Sequence, residues 1–245
     1  MKVLGIDIGG SALKGAPVDT QTGELLAERC RIETPSPSTP ARVAKVAGEI
    51  ARHFHWRGPV GIGFPGVVME GRIMAAANLH PAWKGVDGVK LFRQATGCRV
   101  SALNDADAAG LAEMRFGAGK KCRGTVLMFT LGTGIGTALF HRGMLFPRTE
   151  LGHLPWKGRE AEELVAAAVR KKKGLSWHRW GRRVDEYLQK MESLFWPDLI
   201  IIGGGVSARH ENWFRYLHLR TPVVPAKLRN DAGIVGAALA AEMVD

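Results

Sequence analysis

Two short runs pair β-forming residues with side-chain-free backbone: Ile6-Asp7-Ile8-Gly9-Gly10-Ser11, with Lys14 close behind, and Leu131-Gly132-Thr133-Gly134-Ile135-Gly136. Glycine lets amide N–H groups approach an anion closely. Two such loops can grip one phosphate from both sides, the arrangement of a phosphoryl-transfer site. Lys14 can neutralise phosphate oxygens, and Ser11 and Thr133 offer hydroxyl donors at the loop tips. Asp7 ends the first strand, where one carboxylate can hold hydrated Mg²⁺ against a phosphate chain. Capping of the turn is an equal reading on position alone; the second loop tips the balance toward metal. A third glycine run, Gly203-Gly204-Gly205, follows an apolar stretch.

The familiar nucleotide motifs are absent. Gly119-Lys120 is followed by Lys121 and has no glycine five residues before Gly119. Gly132, Gly134 and Gly136 read G-x-G-x-G between two strands, whereas the dinucleotide fingerprint is G-x-G-x-x-G opening a helix. Asn104-Asp105 is the candidate reacting centre. It falls where a strand meets a helix N-terminus, the place where open α/β sheets hold ligands. The helix end favours an ionised carboxylate, which can accept a proton from a hydroxyl nucleophile. Without that context the pair reads as a helix cap, and Asp107 reads as structural or surface. Asn78, Glu150, His153 and Glu162 fall near predicted loops. Carboxylates and amides suit the fixed directions of sugar-ring hydroxyls, although each residue alone reads as solvated.

The elements that must carry these groups alternate strand and helix, an α/β pattern. Strands are predicted at 2–8, 13–18, 24–32, 59–64, 99–103, 124–130, 135–141 and 199–202. One helix opens at Thr39 as N-cap with Pro40 at its first position, and Val43, Val46, Ile50 and Phe54 form its apolar stripe. A second runs from Asp105 to about Met114. A third, capped by Ser176, repeats Trp177, Trp180, Val184, Leu188, Met191 and Phe195 at helical steps and reads as core. The alanine-rich last helix runs from about Asp231 to Met243, with Gly233 and Gly236 permitting close packing on a sheet. No internal repeat stands out.

Lys and Arg number 34 against 23 acidic residues, a formal charge of +11. That surplus favours polyanionic partners. Lys120–Arg123, Arg170–Lys173 and Arg179 with Arg182-Arg183 read as solvated faces or as a track for an extended polyanion. No recognised nucleic-acid module accompanies them, no apolar run approaches the ~18 residues of a membrane span, and no signal peptide is evident. Cys30, Cys98 and Cys122 are too scattered for a disulfide framework or metal site. The expectation is a cytoplasmic protein that binds neither membrane nor nucleic acid.

Over essentially the whole chain these residues resemble the sugar-kinase branch of the actin-like ATPase superfamily, and within it the repressor–ORF–kinase (ROK) group. The resemblance rests on Gly5-Ile6-Asp7-Ile8-Gly9-Gly10-Ser11, Gly63-Phe64-Pro65-Gly66 and Leu103-Asn104-Asp105-Ala106-Asp107-Ala108-Ala109-Gly110. It continues through Gly132-Thr133-Gly134, Thr149-Glu150-Leu151-Gly152-His153, Gly203-Gly204-Gly205 and Asn230-Asp231-Ala232-Gly233. It implies a two-lobed α/β fold of the ribonuclease H-like kind with a cleft between lobes. The small lobe would take residues 1–104 and 231–245, the large lobe 105–230. By the same resemblance Asp105 is the base for the 6-hydroxyl of glucose, while Asn78, Asn104, Glu150, His153 and Glu162 line the sugar pocket. Gly9, Gly10, Ser11 and Lys14, with Gly132, Thr133 and Gly134, would hold donor phosphates. Gly203, Gly204 and Gly205 would hold the distal donor, and Asp7 the Mg²⁺. The implied donor is inorganic polyphosphate, with ATP as a possible partner, and the implied assembly is a homodimer. No cysteine-rich zinc motif follows His153, so no zinc is expected. His80 stands where an acid is expected and Arg148 where Asn is usual. A strictly ATP-dependent hexose or amino-sugar kinase is the first rival reading. A non-catalytic sugar sensor or polyanion-binding protein is the second, and the retention of Asp105 speaks against it.

Overall fold

The structure is a computed structural model of the 245-residue chain and describes residues 1–76 and 79–242. Asn78 lies outside the described residues. In chain order the strands and helices are β1 (Lys2–Ile8), β2 (Ala12–Asp19), β3 (Glu24–Leu25), β4 (Cys30–Glu33), α1 (Pro40–His53), β5 (Val60–Phe64), β6 (Val68–Met69) and β7 (Arg72–Ile73). There follow α2 (Gly88–Thr96), β8 (Val100–Asn104), α3 (Asp105–Arg115), β9 (Thr125–Leu131), β10 (Ile135–His141), β11 (Met144–Phe146), β12 (Pro155–Trp156) and β13 (Arg159–Glu160). The chain continues through α4 (Glu162–Val165), α5 (Ala167–Lys172), α6 (Trp177–Phe195), β14 (Leu199–Gly203), β15 (Val223–Pro225) and α7 (Ala232–Glu242). It divides into two compact units, one built from Met1–Ala112 and the segment from Asp231 onward, the other from Glu113–Asn230. That division falls inside α3, so Asp105 belongs to the first unit.

The first unit holds a mixed sheet of order β3-β2-β1-β5-β8, with β4 also pairing β2. The hairpin β1–β2 is antiparallel, whereas β1, β5 and β8 run parallel. Register sets Asp7 beside Gly63, Gly63 beside Leu103 and Phe64 beside Asn104. The carboxyl ends of three parallel strands therefore bring Asp7 and the Asn104-Asp105 corner to the same edge. Helix α1 buries Val43, Val46, Ala47 and Ile50, as its stripe requires. Trp83, fully buried, packs edge-on to Phe64 at 4.7 Å and stacks with Phe92 at 5.8 Å.

Helix α7 has no polar face and is buried nearly all round, as expected of a helix apolar on every side. It touches the sheet backbone to backbone. A Cβ added at Gly5 would lie 2.0 Å from the carbonyl oxygen of Ile234, and one at Gly61 only 1.7 Å from that of Ala237. On its other side, a Cβ on Gly236 would fall 1.6 Å from the carbonyl oxygen of Ala108 in α3.

The second unit repeats this plan with different side chains. Its sheet runs β11-β10-β9-β14-β15, an antiparallel hairpin β9–β10 followed by parallel β9, β14 and β15. Helix α6 covers it with Trp180, Val184, Tyr187, Leu188 and Met191. Ser176 caps that helix by accepting the Arg179 N–H at 3.2 Å. Among the described residues, no helix is long and apolar enough to cross a membrane.

Three expectations need correction. The run 24–32 is two short strands, because β2 pairs with Leu25 and again with Cys30 while the chain between leaves the ladder. Thr39 sits at the N-cap of α1 with no side-chain cap bond; its carbonyl accepts the Val43 N–H at 3.0 Å instead. Helix α2 is absent from the expected elements although its signals exist. Asp87 accepts the Lys90 N–H at 2.9 Å, and Gly97 ends the helix at φ 70°.

Because rotamer changes cannot relieve a clash between two backbones, Gly61→Ala should destabilise the protein by about 3 kcal/mol or more, the upper end for overpacking. Urea unfolding measures this, and a loss under about 0.5 kcal/mol would show that α7 can move away freely.

Candidate active site

In the first unit the β8–α3 corner is built around Asn104. Its Oδ1 accepts the N–H groups of Ala106 at 2.8 Å and Asp107 at 3.0 Å, and its Nδ2 donates to the carbonyl of Gly66 at 3.1 Å. Asn104 is buried and acts first as the cap of α3; among the described residues its second amide hydrogen has no protein acceptor. Asp105 follows at the first helical position, half-buried, its Oδ1 accepting the Ala106 N–H at 2.9 Å. Gly63 keeps space there: a Cβ on it would meet the Asp105 Cα at 3.8 Å and the Gly233 carbonyl oxygen at 3.8 Å. Asp107 is buried, 2% exposed, which places it on the structural side of the two readings.

Asp7 reaches the same edge from β1. Burial pushes its carboxyl above the ordinary range, and Lys14, its cross-strand neighbour, pulls it back. The first turn of α7 lies against it, since a Cβ on Gly233 would sit 2.7 Å from the Asp7 Cγ. A single half-buried carboxylate suits Mg²⁺, which takes one or two carboxylates and completes its octahedron with phosphates and water. A cation there also relieves the cost that burial imposes on the ionised form. The Gly9-Gly10-Ser11 tip is tied down from behind. The Thr34 hydroxyl donates to the Gly9 carbonyl at 2.6 Å, and the Thr34 N–H to that of Ser11 at 3.1 Å. Gly10 and Ser11 are exposed.

In the second unit the other two glycine turns stand side by side. Gly203 pairs in register with Thr130, and a Cβ on Gly204 would lie 2.4 Å from the Leu131 carbonyl oxygen. Thr133 and Gly205 line one cavity of about 530 Å³, together with Arg170, Lys171, Trp177 and Arg209. Those last four were readable from sequence only as a basic run, a helix stripe and an isolated arginine. Nothing in their spacing announces a shared wall.

The strap that carries Glu150 and His153 lies on β10. The Thr137 hydroxyl donates to the Thr149 carbonyl at 2.7 Å, and a Cβ on Gly152 would fall 2.4 Å from the Ile135 carbonyl oxygen. Here the structure assembles an acidic ring around one imidazole. His153 Nδ1 is 2.8 Å from Glu160 and 3.9 Å from Glu162, and its Nε2 is 3.7 Å from Glu150. The hydrogen bond to Glu160 above all, reinforced by the neighbouring carboxylates, holds the His153 pKa above its ordinary value despite partial burial. Burial raises the Glu150 carboxyl, with His153 opposing and Glu162 adding to the rise. Glu162 also accepts the Ile135 N–H at 3.1 Å and backs onto the Gly134 turn, where a Cβ would be 2.3 Å from its Oε2. It thus joins the polar ring to the Gly132-Thr133-Gly134 turn. His153, Glu160 and Glu162 offer metal-capable atoms within 4.8 Å of one another; the Nδ1 contact makes the group an ion-pair network as it stands. Glu160, at the end of β13 and two residues before Glu162, is the member that sequence reasoning did not single out.

The two departures from the family pattern have local explanations. His80 caps the short helix Pro81–Trp83, its Nδ1 accepting the Ala82 N–H at 3.1 Å, a task an acid at this position performs equally well. Arg148 has φ 67°, a left-handed backbone that Asn adopts more readily than Arg.

The model of the ROK family matches residues 3–163. The chain is 48% identical over 238 residues to the polyphosphate glucokinase of Mycobacterium tuberculosis (strain CDC 1551 / Oshkosh), covering 97% of this chain and 90% of that protein. It is 45% identical over 238 residues to the Mycobacterium leprae (strain TN) polyphosphate glucokinase, covering 97% and 74%. Among solved structures, the inorganic polyphosphate/ATP-glucomannokinase from Arthrobacter sp. strain KM matches with a TM-score of 0.96 and 45% identity, covering 100% of this chain and 99% of that one. A Streptomyces griseus ROK family glucokinase, solved with glucose and AMPPNP, matches at TM-score 0.83 and 24% identity, covering 99% and 100%; this second likeness speaks for the fold.

The acidic ring makes a pH prediction. His153 should titrate above the ordinary histidine value of about 6.5 in an NMR titration of the imidazole protons, and Glu160→Gln should bring it down. Since the folded value is the raised one, the stabilisation from this pair is complete below about 6.5 and is lost as pH climbs through the folded pKa. An unmoved His153 signal in the Glu160→Gln protein would contradict the assigned contact.

Proposed function

This chain belongs to the ROK family, and from that premise we propose that it is a polyphosphate glucokinase. It transfers the terminal phosphoryl group of inorganic polyphosphate to the 6-hydroxyl of glucose, giving glucose 6-phosphate, and takes ATP as a second donor. The observation that carries this is the end-to-end likeness to the Mycobacterium tuberculosis polyphosphate glucokinase and the Arthrobacter polyphosphate/ATP-glucomannokinase.

In this reading Asp105 is the general base. Its carboxylate, seated at the N-terminus of α3, takes the proton of the sugar hydroxyl as the new O–P bond forms. The bond from phosphorus to the bridging oxygen breaks, and a polyphosphate shorter by one unit leaves. Phosphoryl transfer asks the protein mainly for positioning and charge stabilisation. Glu150, His153 and Glu162 hold the sugar hydroxyls in fixed directions, and the remaining amide hydrogen of Asn104 adds a donor. Backbone amides of the Gly9-Gly10-Ser11 and Gly132-Thr133-Gly134 turns, with Lys14, cradle the donor phosphates, and the Gly203–Gly205 turn holds the donor's distal part. When Mg²⁺ is bound, Asp7 holds it and the ion neutralises phosphate charge. Cytoplasmic location and a homodimeric assembly complete the reading, the latter on the family likeness alone.

Asp105→Asn should lower kcat by roughly 10²–10⁴-fold, the range for a positioned acid–base group, while glucose binding measured by calorimetry persists. A variant retaining more than about a tenth of wild-type kcat would remove Asp105 from the role of base. Removing Mg²⁺ with EDTA should abolish turnover until the ion is restored, and Asp7→Asn should shift its activation curve to higher Mg²⁺. An Asp7→Asn curve superimposable on wild type would place the ion elsewhere.

A further inference from the structure

The cavity beside the Gly132–Thr133 and Gly204–Gly205 turns has two chemically distinct walls. One is cationic, with Lys171 and Arg209 exposed at its rim. The other is flat and apolar, the indole of Trp177, whose ring is braced edge-on by buried Trp180 at 5.8 Å. A nucleoside base stacks on such a surface; a chain of phosphates has no use for it. Arg170 stands between the two. Its guanidinium carbon lies 3.8 Å from the centre of the Trp177 ring, a cation–π contact that covers the face a base would need.

We propose that Arg170 selects the phosphoryl donor: stacked on Trp177, it offers a cation to polyphosphate while denying a nucleoside base its stacking surface. This rests on the kinase reading and deepens it. The donor capacity is in place. Of the five N–H groups of a guanidinium, Nη1 gives one to the Leu175 carbonyl at 3.3 Å and the Nε is buried, so the other Nη hydrogens are the ones that meet a phosphate. A phosphate chain meets Arg170, Lys171 and Arg209 in one pocket and gains from each. ATP meets the same cations with its phosphates, yet its base must displace Arg170 from the indole before it can stack. The residue therefore favours one donor and penalises the other through a single side-chain position.

The test is calorimetric binding of long-chain polyphosphate and, separately, of ATP to the wild-type protein and to Arg170→Ala, without glucose so that no phosphoryl transfer occurs. The polyphosphate Kd should rise at least tenfold, while the ATP Kd stays level or falls. Equal weakening of both donors, or an unchanged polyphosphate Kd, would overturn the assignment. If Arg170→Ala loses its cooperative thermal transition, Arg170→Gln keeps the stem and removes the charge, with the same outcomes expected. Absence of glucose phosphorylation by the wild type with either donor would count against the kinase reading itself. Normal wild-type turnover with an unaltered donor ratio in the Arg170 variants would count against Arg170 alone.

Discussion

The first unit depends on a backbone-to-backbone contact. Helix α7 approaches β1, β5 and α3 so closely that Gly5, Gly61 and Gly236 leave no room for a methyl group. That contact does more than fill a core. It seats the first turn of α7 against the Asp7 carboxylate and holds α3 at the end of β8, where Asn104 caps it and Asp105 follows. Strand register then sets Asp7, Gly63 and the Asn104 corner along one edge. The Asp7 and Asp105 carboxylates are thus positioned by glycine and alanine, the residues with least chemistry of their own.

The second unit gathers glycine turns and polar side chains in place of these carboxylates. Its glycine turns follow adjacent parallel strands, β9 and β14, so their backbone amides come together without any nucleotide-binding signature. Glu162 couples these turns to the acidic ring around His153. The hydrogen bond to Glu160 and the neighbouring carboxylates keep the imidazole charged to higher pH than usual against its partial burial. Glu150 stays protonated to higher pH chiefly because it is buried, with His153 opposing the rise.

Much of this was legible in the sequence where local chemistry and global fold agree. Pro40 marks the start of α1, Ser176 caps α6, and Asn104 caps α3. The alanine and glycine of the last helix predict its intimate contact with the sheet. What stayed hidden is non-local. The shared strand plan of the two units has no echo in residue identity, because burial and pairing can be met by many side chains. Helix α2 is short and half-buried, so its Asp87 and Gly97 signals stand without a long apolar stripe between them. The wall formed by Arg170, Lys171, Trp177 and Arg209 draws on three separate segments, and Glu160 finds its importance only through the turn that returns it to His153. Thr39 shows the converse: a residue type suited to capping whose backbone serves while its side chain does not.

The most direct test of the account is ³¹P NMR of the purified protein with glucose, Mg²⁺ and inorganic polyphosphate, and no nucleotide. A growing phosphomonoester resonance of glucose 6-phosphate, matched by loss of internal polyphosphate resonances while the end groups persist, is the predicted result. Orthophosphate release alone, or an unchanged polyphosphate spectrum, would contradict it.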